Sequence, residues 1–97
     1  MQHLKIEQVY ELFDKEGNGW NAIQVQVESN LFTYSSIWDH VELKKQEDTV
    51  LMTGYIEKEA QEITFDLKEL DDIILYPFEV SILEFVFGKE KIILEIS

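Results

Sequence analysis

The chain has 97 residues and a formal net charge of -12 at pH 7, because twenty Asp and Glu oppose eight Lys and no Arg. Eight scattered lysines do not form the cationic cluster that nucleic acids and anionic membranes require, so the charge excludes both kinds of partner. The absence of cysteine excludes disulfides and thiolate zinc sites, whereas a hydrophobic fraction of 45% is sufficient for a folded core.

The length predicts a single domain over residues 1–97. Charged residues occur from Lys5 onward, so the beginning of the sequence lacks the apolar core of a signal peptide, and we expect a cytoplasmic protein. The lack of Arg together with abundant Ile and Lys is typical of an AT-rich coding sequence. We therefore expect a low-GC bacterium or one of its mobile elements as the source.

An amphipathic helix is predicted at residues 4–16, and Gly17 supplies its C-terminal stop. The apolar side chains recur at i, i+3, i+4 and i+7, the spacing of one helix face, at positions Ile6, Val9, Tyr10 and Phe13. His3 precedes this helix and is expected at a frayed end of the chain.

After the helix the apolar period changes from 3.6 to 2, which is typical of half-buried strands. Four strands are predicted, at residues 22–28, 31–34, 37–44 and 49–56. Ser29 and Asn30 favour a turn between the first and the second. Gly54, within the fourth strand, predicts a bulge or a sharp bend.

Strict alternation along residues 37–44 assigns the side chains of this strand to two faces. One face receives Ile37, Val41 and Leu43. The other face, which we expect to be the outer one, receives Trp38, His40 and Glu42.

Residues 57–75 fit both a helix and a strand pattern. Because Ile, Thr and Phe at residues 63–65 prefer a pleated surface, we favour a strand at 62–67, a turn at 68–72 and a strand at 73–76. Residues 80–87 are apolar on both faces and predict a central strand, which pairs with a strand at 91–96. The predicted fold is α+β, with one N-terminal helix packed on a curved antiparallel sheet or on a small β-barrel.

The segment from Asp14 to Gly19 looks like the first half of an EF-hand loop, since oxygen ligands fall at positions 1, 3 and 5 and glycine at position 6. Position 12, where calcium needs a bidentate Glu, is Val25. His40 and Glu42 share a strand face, but two ligands make an incomplete metal site. We therefore predict no metal site and no cofactor, and keep a ligand- or calcium-binding small β-barrel as an alternative.

Catalytic signatures are also missing from the sequence. No serine lies in a Gly-x-Ser-x-Gly elbow, and none of the four glycines opens a helix after a strand, as phosphate-binding loops require. We predict a protein that is not an enzyme and has no catalytic residue.

The highest density of negative charge falls in the segment 57–72, which we call the acidic window. Its seven acids are the candidate partner-binding residues: Glu57, Glu59, Glu62, Asp66, Glu69, Asp71 and Asp72. Trp38, if it lies on the outer strand face, is an aromatic anchor for the same contact. An acidic face that only keeps the protein soluble is the other interpretation of these residues.

The sequence therefore predicts a small, acidic, non-enzymatic binding protein that docks on a basic protein surface. Inhibitors, immunity or anti-defence proteins and accessory subunits are the types that fit. The other alternative is a structural subunit that assembles through its strand edges.

Overall fold

The computed structural model describes residues 1–15, 23–77 and 81–96. Within these ranges the elements are, in chain order, β1 (Gln2–His3), α1 (Ile6–Lys15), β2 (Ile23–Glu28), β3 (Thr33–Lys45), β4 (Thr49–Ile56), β5 (Glu59–Asp66), a 3-10 helix (Leu67–Glu69), β6 (Asp72–Tyr76), β7 (Ser81–Phe87) and β8 (Glu90–Ile96).

The described strands form one antiparallel sheet in the order β1-β6-β7-β8-β2-β3-β4-β5. It consists of two meanders, β2 to β5 and β6 to β8, which join where Val25 of β2 pairs with Leu94 of β8. The first and last strands of this order are not paired with each other. The prediction of a helix with a curved antiparallel sheet is confirmed, whereas the small β-barrel is wrong because the sheet is not closed.

The core lies between α1 and the inward face of the sheet. Val9 and Phe13 of the helix belong to one buried cluster with inward side chains of the strands, among them Ile23 and Leu94. The predicted apolar stripe is thus confirmed, although α1 begins at Ile6. The residues before it form β1, and the Leu4 amide donates to the Ile73 carbonyl over 2.9 Å, so the chain is already paired ahead of the helix.

A β-bulge divides β3 into two halves. The register with β4 shifts by one residue between Asp39 and Glu42, and His40 within the shift has a positive φ of 53°. The extra residue leaves both Asp39 and His40 exposed. The inward side chains therefore fall at even-numbered positions before the bulge and at odd-numbered positions after it.

This bulge overturns the predicted faces of residues 37–44. Trp38, expected on the outer face, is buried with an exposed fraction of 2%, whereas Ile37, expected inside, is 62% exposed. Val41 is buried as predicted because it follows the bulge. The assignment of Trp38 to an exposed partner-binding face is therefore wrong, and this side chain belongs to the core.

Gly54 of β4 lies opposite the bulge. A Cβ atom at this position would lie 2.9 Å from Cε3 of Trp38 and 3.1 Å from the carbonyl oxygen of Asp39. The glycine therefore allows Trp38 and the bulged backbone to approach β4 closely. The predicted irregularity at Gly54 is confirmed in position, but the extra residue belongs to the neighbouring strand β3.

The ambiguous segment 57–75 folds as strand, short turn and strand. β5 covers Glu59–Asp66, the 3-10 helix follows, and β6 begins at Asp72. Of the two alternatives, the strand interpretation is thus confirmed. The predicted central strand is confirmed as well, since β7 pairs with β6 on one side and β8 on the other.

Candidate binding cleft

The curved sheet leaves a cleft of about 710 Å³ between the edge strand β5 and strands β2, β3, β7 and β8. Apolar and aromatic side chains form its floor: Val27, Phe32, Tyr34, Trp38, Ile63, Phe65, Phe87 and Ile92. Polar and charged side chains also line it: Thr49, Gln61, Glu62, Thr64, Asp66, Glu69, Glu90 and Lys91. Clefts of this size and mixed lining are typical of binding sites.

Aromatic contacts fix the floor of the cleft. The ring of Phe65 on β5 lies 5.1 Å from that of Phe85 and 5.3 Å from that of Phe87, both on β7. Nε1 of Trp38 donates a hydrogen bond to the hydroxyl of Tyr34 over 3.4 Å. Because Phe65 reaches β7 across the inside of the curved sheet, these contacts hold the two walls of the cleft in place.

Two large apolar side chains project beside the cleft from the turn between β2 and β3. Phe32, which lines the cleft, is 59% exposed, and Leu31 is 93% exposed. The turn itself is ordered by Ser29, whose backbone amide donates to the Phe32 carbonyl over 3.0 Å and whose Oγ accepts from the amides of both apolar residues over 3.3 Å. Two adjacent hydrophobic side chains therefore lie in solvent on a hydrogen-bonded turn, which is typical of a contact site.

Carboxylates form the rim of the cleft. Four acids, Glu62, Asp66, Glu69 and Glu90, stand against Lys91, a formal charge of four negative minus one positive, or -3. A second groove of about 750 Å³ next to Leu31 and Phe32 is also lined by Glu69 and Glu90. The apolar turn and the acidic rim therefore belong to one continuous surface.

Three acids of the predicted acidic window stabilise the backbone. Asp66 caps the 3-10 helix, since its Oδ1 accepts from the Lys68 amide over 2.9 Å. Asp71 accepts from the Gly88 amide and so ties the chain to the turn between β7 and β8. Asp72 accepts hydrogen bonds from the Ile73 amide and from the ring of His3.

The contact between His3 and Asp72 joins the beginning of the chain to β6. Nδ1 of His3 lies 2.9 Å from Oδ2 of Asp72, and because a carboxylate accepts, the ring nitrogen is the donor. This hydrogen bond, with a further one from the Ile73 amide, lowers the pKa of Asp72 below its ordinary value. The expectation that His3 lies at a frayed end is wrong, because β1 pairs with β6 there.

The other four acids of the window divide between two places. Glu62 and Glu69 lie at the cleft, and within the described part of the chain neither has a hydrogen bond or an ion pair. Glu57 and Glu59 lie at the turn between β4 and β5 and do not line the cleft. The window therefore comprises a hairpin end, part of the cleft rim and a set of structural contacts, and only its middle part lines the cleft.

The predicted metal-ligand candidates do not converge. Among the residues that the structure describes, no group of three or more His, Asp or Glu side chains is placed to hold a metal ion. The ring of His40 packs edge-on against Tyr55, with 6.4 Å between the centroids. Residues 16–19 of the EF-hand-like segment lie outside the described residues, so calcium binding there stays an alternative to the prediction of no metal site.

The sequence analysis did not identify Leu31, Phe32 and Glu90 as candidate binding residues. The two apolar residues fit a strand pattern, and only the Ser29-Asn30 turn directly before them indicated a loop. Glu90 lies outside the acidic window and joins Glu62 only because the sheet curves.

No protein-family model, curated protein or solved structure matches the chain. Among the described residues, no helix is long and apolar enough to cross a membrane.

Proposed function

We propose that this chain is a small binding protein without catalytic activity, and that it docks on a basic surface of a partner protein. The cleft and its mouth form the contact. Phe32 and Leu31 insert as apolar anchors, while Glu62, Glu69 and Glu90 face Lys or Arg side chains of the partner.

The observation that carries the proposal is the coincidence of exposed apolar side chains with a surplus of carboxylates that form no ion pair within the described residues. Phe32 is exposed at the same cleft whose rim has a formal charge of -3, four acids against one lysine. Within the described residues, the close contacts between a carboxylate and a basic side chain are those of His3 with Asp72 and of Lys68 with Asp48, and neither involves Glu62, Glu69 or Glu90. A face that served solubility alone has no need of exposed apolar side chains beside it.

The partner types that fit best are those whose own ligand is anionic. An acidic inhibitor, an immunity or anti-defence protein or an accessory subunit acts by covering such a basic surface, and electrostatic attraction accelerates the encounter. We also propose that the protein acts in the cytoplasm, a compartment that its cysteine-free composition permits, as it permits an oxidising one.

The experiment compares two variants with the same total charge change in an affinity capture from cells of the source organism. The rim variant reverses three cleft acids: Glu62→Lys, Glu69→Lys and Glu90→Lys. The control variant reverses three exposed acids outside the cleft: Glu11→Lys, Glu47→Lys and Glu57→Lys. Phe32→Ser tests the apolar anchor separately.

We expect the wild type and the control variant to capture the same basic protein in similar amounts. The rim variant is expected to capture at least about 10-fold less of this protein. Phe32→Ser is expected to weaken capture even at high salt, because its contact is apolar. Equal loss in both triple variants would reduce the effect to net charge and contradict the proposal, as would full capture by all three.

The open edge of β5 also suggests a second function, in which identical copies of the chain assemble through their strand edges. The acids of β5 oppose it, since Glu59, Glu62 and Asp66 would meet the same residues of the second copy. Sedimentation is therefore expected to give a monomer, and a dimer that is lost in Glu62→Pro would favour the structural subunit instead.

A further inference from the structure

The outer edge of β5 presents unpaired backbone groups to the cleft. β5 pairs with β4 alone, and the Leu67 amide extends the ladder with a 2.9 Å hydrogen bond to the Asp48 carbonyl. Leu67 and Asp48 are thus a hydrogen-bonded pair. Because bonded and non-bonded pairs alternate in an antiparallel ladder, the backbone N–H and C=O groups of Glu62 and Thr64 point away from β4.

This edge lies in the cleft and is not covered by another strand of the described chain. Glu62, Ile63, Thr64 and Phe65 line the cleft consecutively, so both faces and the outer edge of β5 are reached from it. An uncovered edge of this length is a template for a further strand.

The side chains of β5 define which strand fits. Glu62 and Asp66 lie four residues apart on the outward face, whereas Ile63 and Phe65 face the interior between them. A strand added beside β5 therefore has two positions next to carboxylates. Of the three positions between them, the first and the third face the apolar floor.

Resting on the proposed function, we infer that the partner contributes an extended segment that pairs with β5 as an additional strand. Its pattern is cationic, apolar, any residue, apolar, cationic. The cationic side chains face Glu62 and Asp66, and the apolar side chains enter the cleft over Ile63 and Phe65. Charge decides the occupant, because a second copy of β5 would place acid against acid.

The probe is the peptide acetyl-Thr-Lys-Val-Thr-Val-Lys-Thr-amide, which has the inferred pattern. Two derivatives carry N-methyl groups, one on both lysine amides and the other on both valine amides. Only one alternate set of amides can face β5, so strand addition tolerates one derivative and rejects the other. Antiparallel addition is broken by methylated lysines, and parallel addition by methylated valines.

Isothermal titration and amide hydrogen exchange give the readouts. We expect one methylated peptide to bind at least about 10-fold more weakly than the other, because two backbone hydrogen bonds are lost at unchanged peptide charge. At a free peptide concentration of about 100 Kd, exchange at Glu62 and Thr64 is expected to slow by up to about 100-fold, since only the free fraction exchanges. Amides of β7, which are paired on both sides, serve as the internal control.

Equal affinity of the two methylated peptides, no binding of the parent peptide, or unchanged exchange at Glu62 and Thr64 would each overturn strand addition. The rim variant separates this failure from that of the proposed function. If reversal of Glu62, Glu69 and Glu90 abolishes capture of the natural partner while methylation has no effect, acidic docking stands and the added strand does not.

Discussion

The two edges of the sheet end in different ways. At one edge β6 is covered by the short strand β1, which adds the pair His3↔Ile74, the Leu4 amide bond to Ile73 and the contact between His3 and Asp72. At the other edge, β5 extends over eight residues with no strand beyond it in the described chain. The edge at β6 is thus covered by another strand of the same chain, whereas the edge at β5 carries acidic side chains that oppose pairing with an identical strand.

Carboxylates take part at both edges but do different work there. Asp71 and Asp72 accept hydrogen bonds near the covered edge, whereas Glu62 on the open edge has no such partner among the described residues. Negative charge on an open strand opposes pairing with a second acidic copy but leaves the edge accessible to a cationic segment. Equal density of acids in a sequence therefore does not imply equal availability for binding.

The largest expected effect concerns the anchor of the open edge. Phe65→Ala is expected to lower the free energy of unfolding by about 3–5 kcal/mol, because it removes a buried ring that contacts Phe85 and Phe87. Phe32→Ala, on a side chain that is 59% exposed, is expected to change stability by about 0.5 kcal/mol or less. Urea denaturation measures both, and similar losses would mean that the cleft floor is not a rigid part of the core.

The approach of β3 to β4 next to the open edge gives the second effect. Gly54→Ala is expected to cost about 1–3 kcal/mol, since the added methyl group meets Trp38 and the backbone of Asp39. Thr64→Ala, at an exposed position of the neighbouring strand, is the control and is expected to change little. Thermal and urea unfolding measure the difference, and wild-type stability of Gly54→Ala would contradict the close packing at the bulge.

The contact between Asp71 and the turn between β7 and β8 gives a smaller effect. Asp71→Ala is expected to lower stability by about 1 kcal/mol through loss of the hydrogen bond from the Gly88 amide. Asp71→Asn keeps an acceptor oxygen and is expected to lose less. Glu69→Ala, with no side-chain partner within the described residues, is the matched control and should leave unfolding in urea unchanged. An equal loss of stability in Glu69→Ala would contradict the distinction between acids that accept a hydrogen bond and acids that do not.

The smallest effect is the pH dependence of the covered edge. Because the folded pKa of Asp72 is below its ordinary value of 3.8, the carboxylate stabilises the fold above that value and loses this contribution as the pH falls through the folded pKa. At about pH 6 the melting temperature of Asp72→Asn is expected to lie slightly below that of the wild type, and the gap should close in acid. A gap that stays constant in acid would assign the difference to a cause other than ionisation.

Local patterns in the sequence were sufficient for most elements of the fold. The apolar spacing from Ile6 to Phe13 marks α1, and two-residue alternation marks β2, β4 and β8. The same alternation failed in β3, because the bulge at His40 inserts one residue and reverses the faces around it. The apolar alternation does not reveal the positive φ of His40, although histidine is one of the residue types enriched in that conformation.

The site was harder to predict because it depends on contacts that are distant in the sequence. Charge counting found Glu62 and Glu69 but included Asp71 and Asp72, whose partners are the Gly88 amide and His3. Neither partner is visible to a local pattern, and a strand of two residues such as β1 is too short to show a period. The cleft requires the curvature of the whole sheet, which sequence periodicity does not measure.

The bulge in β3 also governs where the chain tolerates a change in length. Deleting one of the two bulged residues, Asp39 or His40, restores strict alternation, so that Trp38 and Val41 both keep facing inward, whereas a deletion farther along the strand inverts every side chain beyond it. We therefore expect natural length variation within β3 to occur at positions 39 and 40.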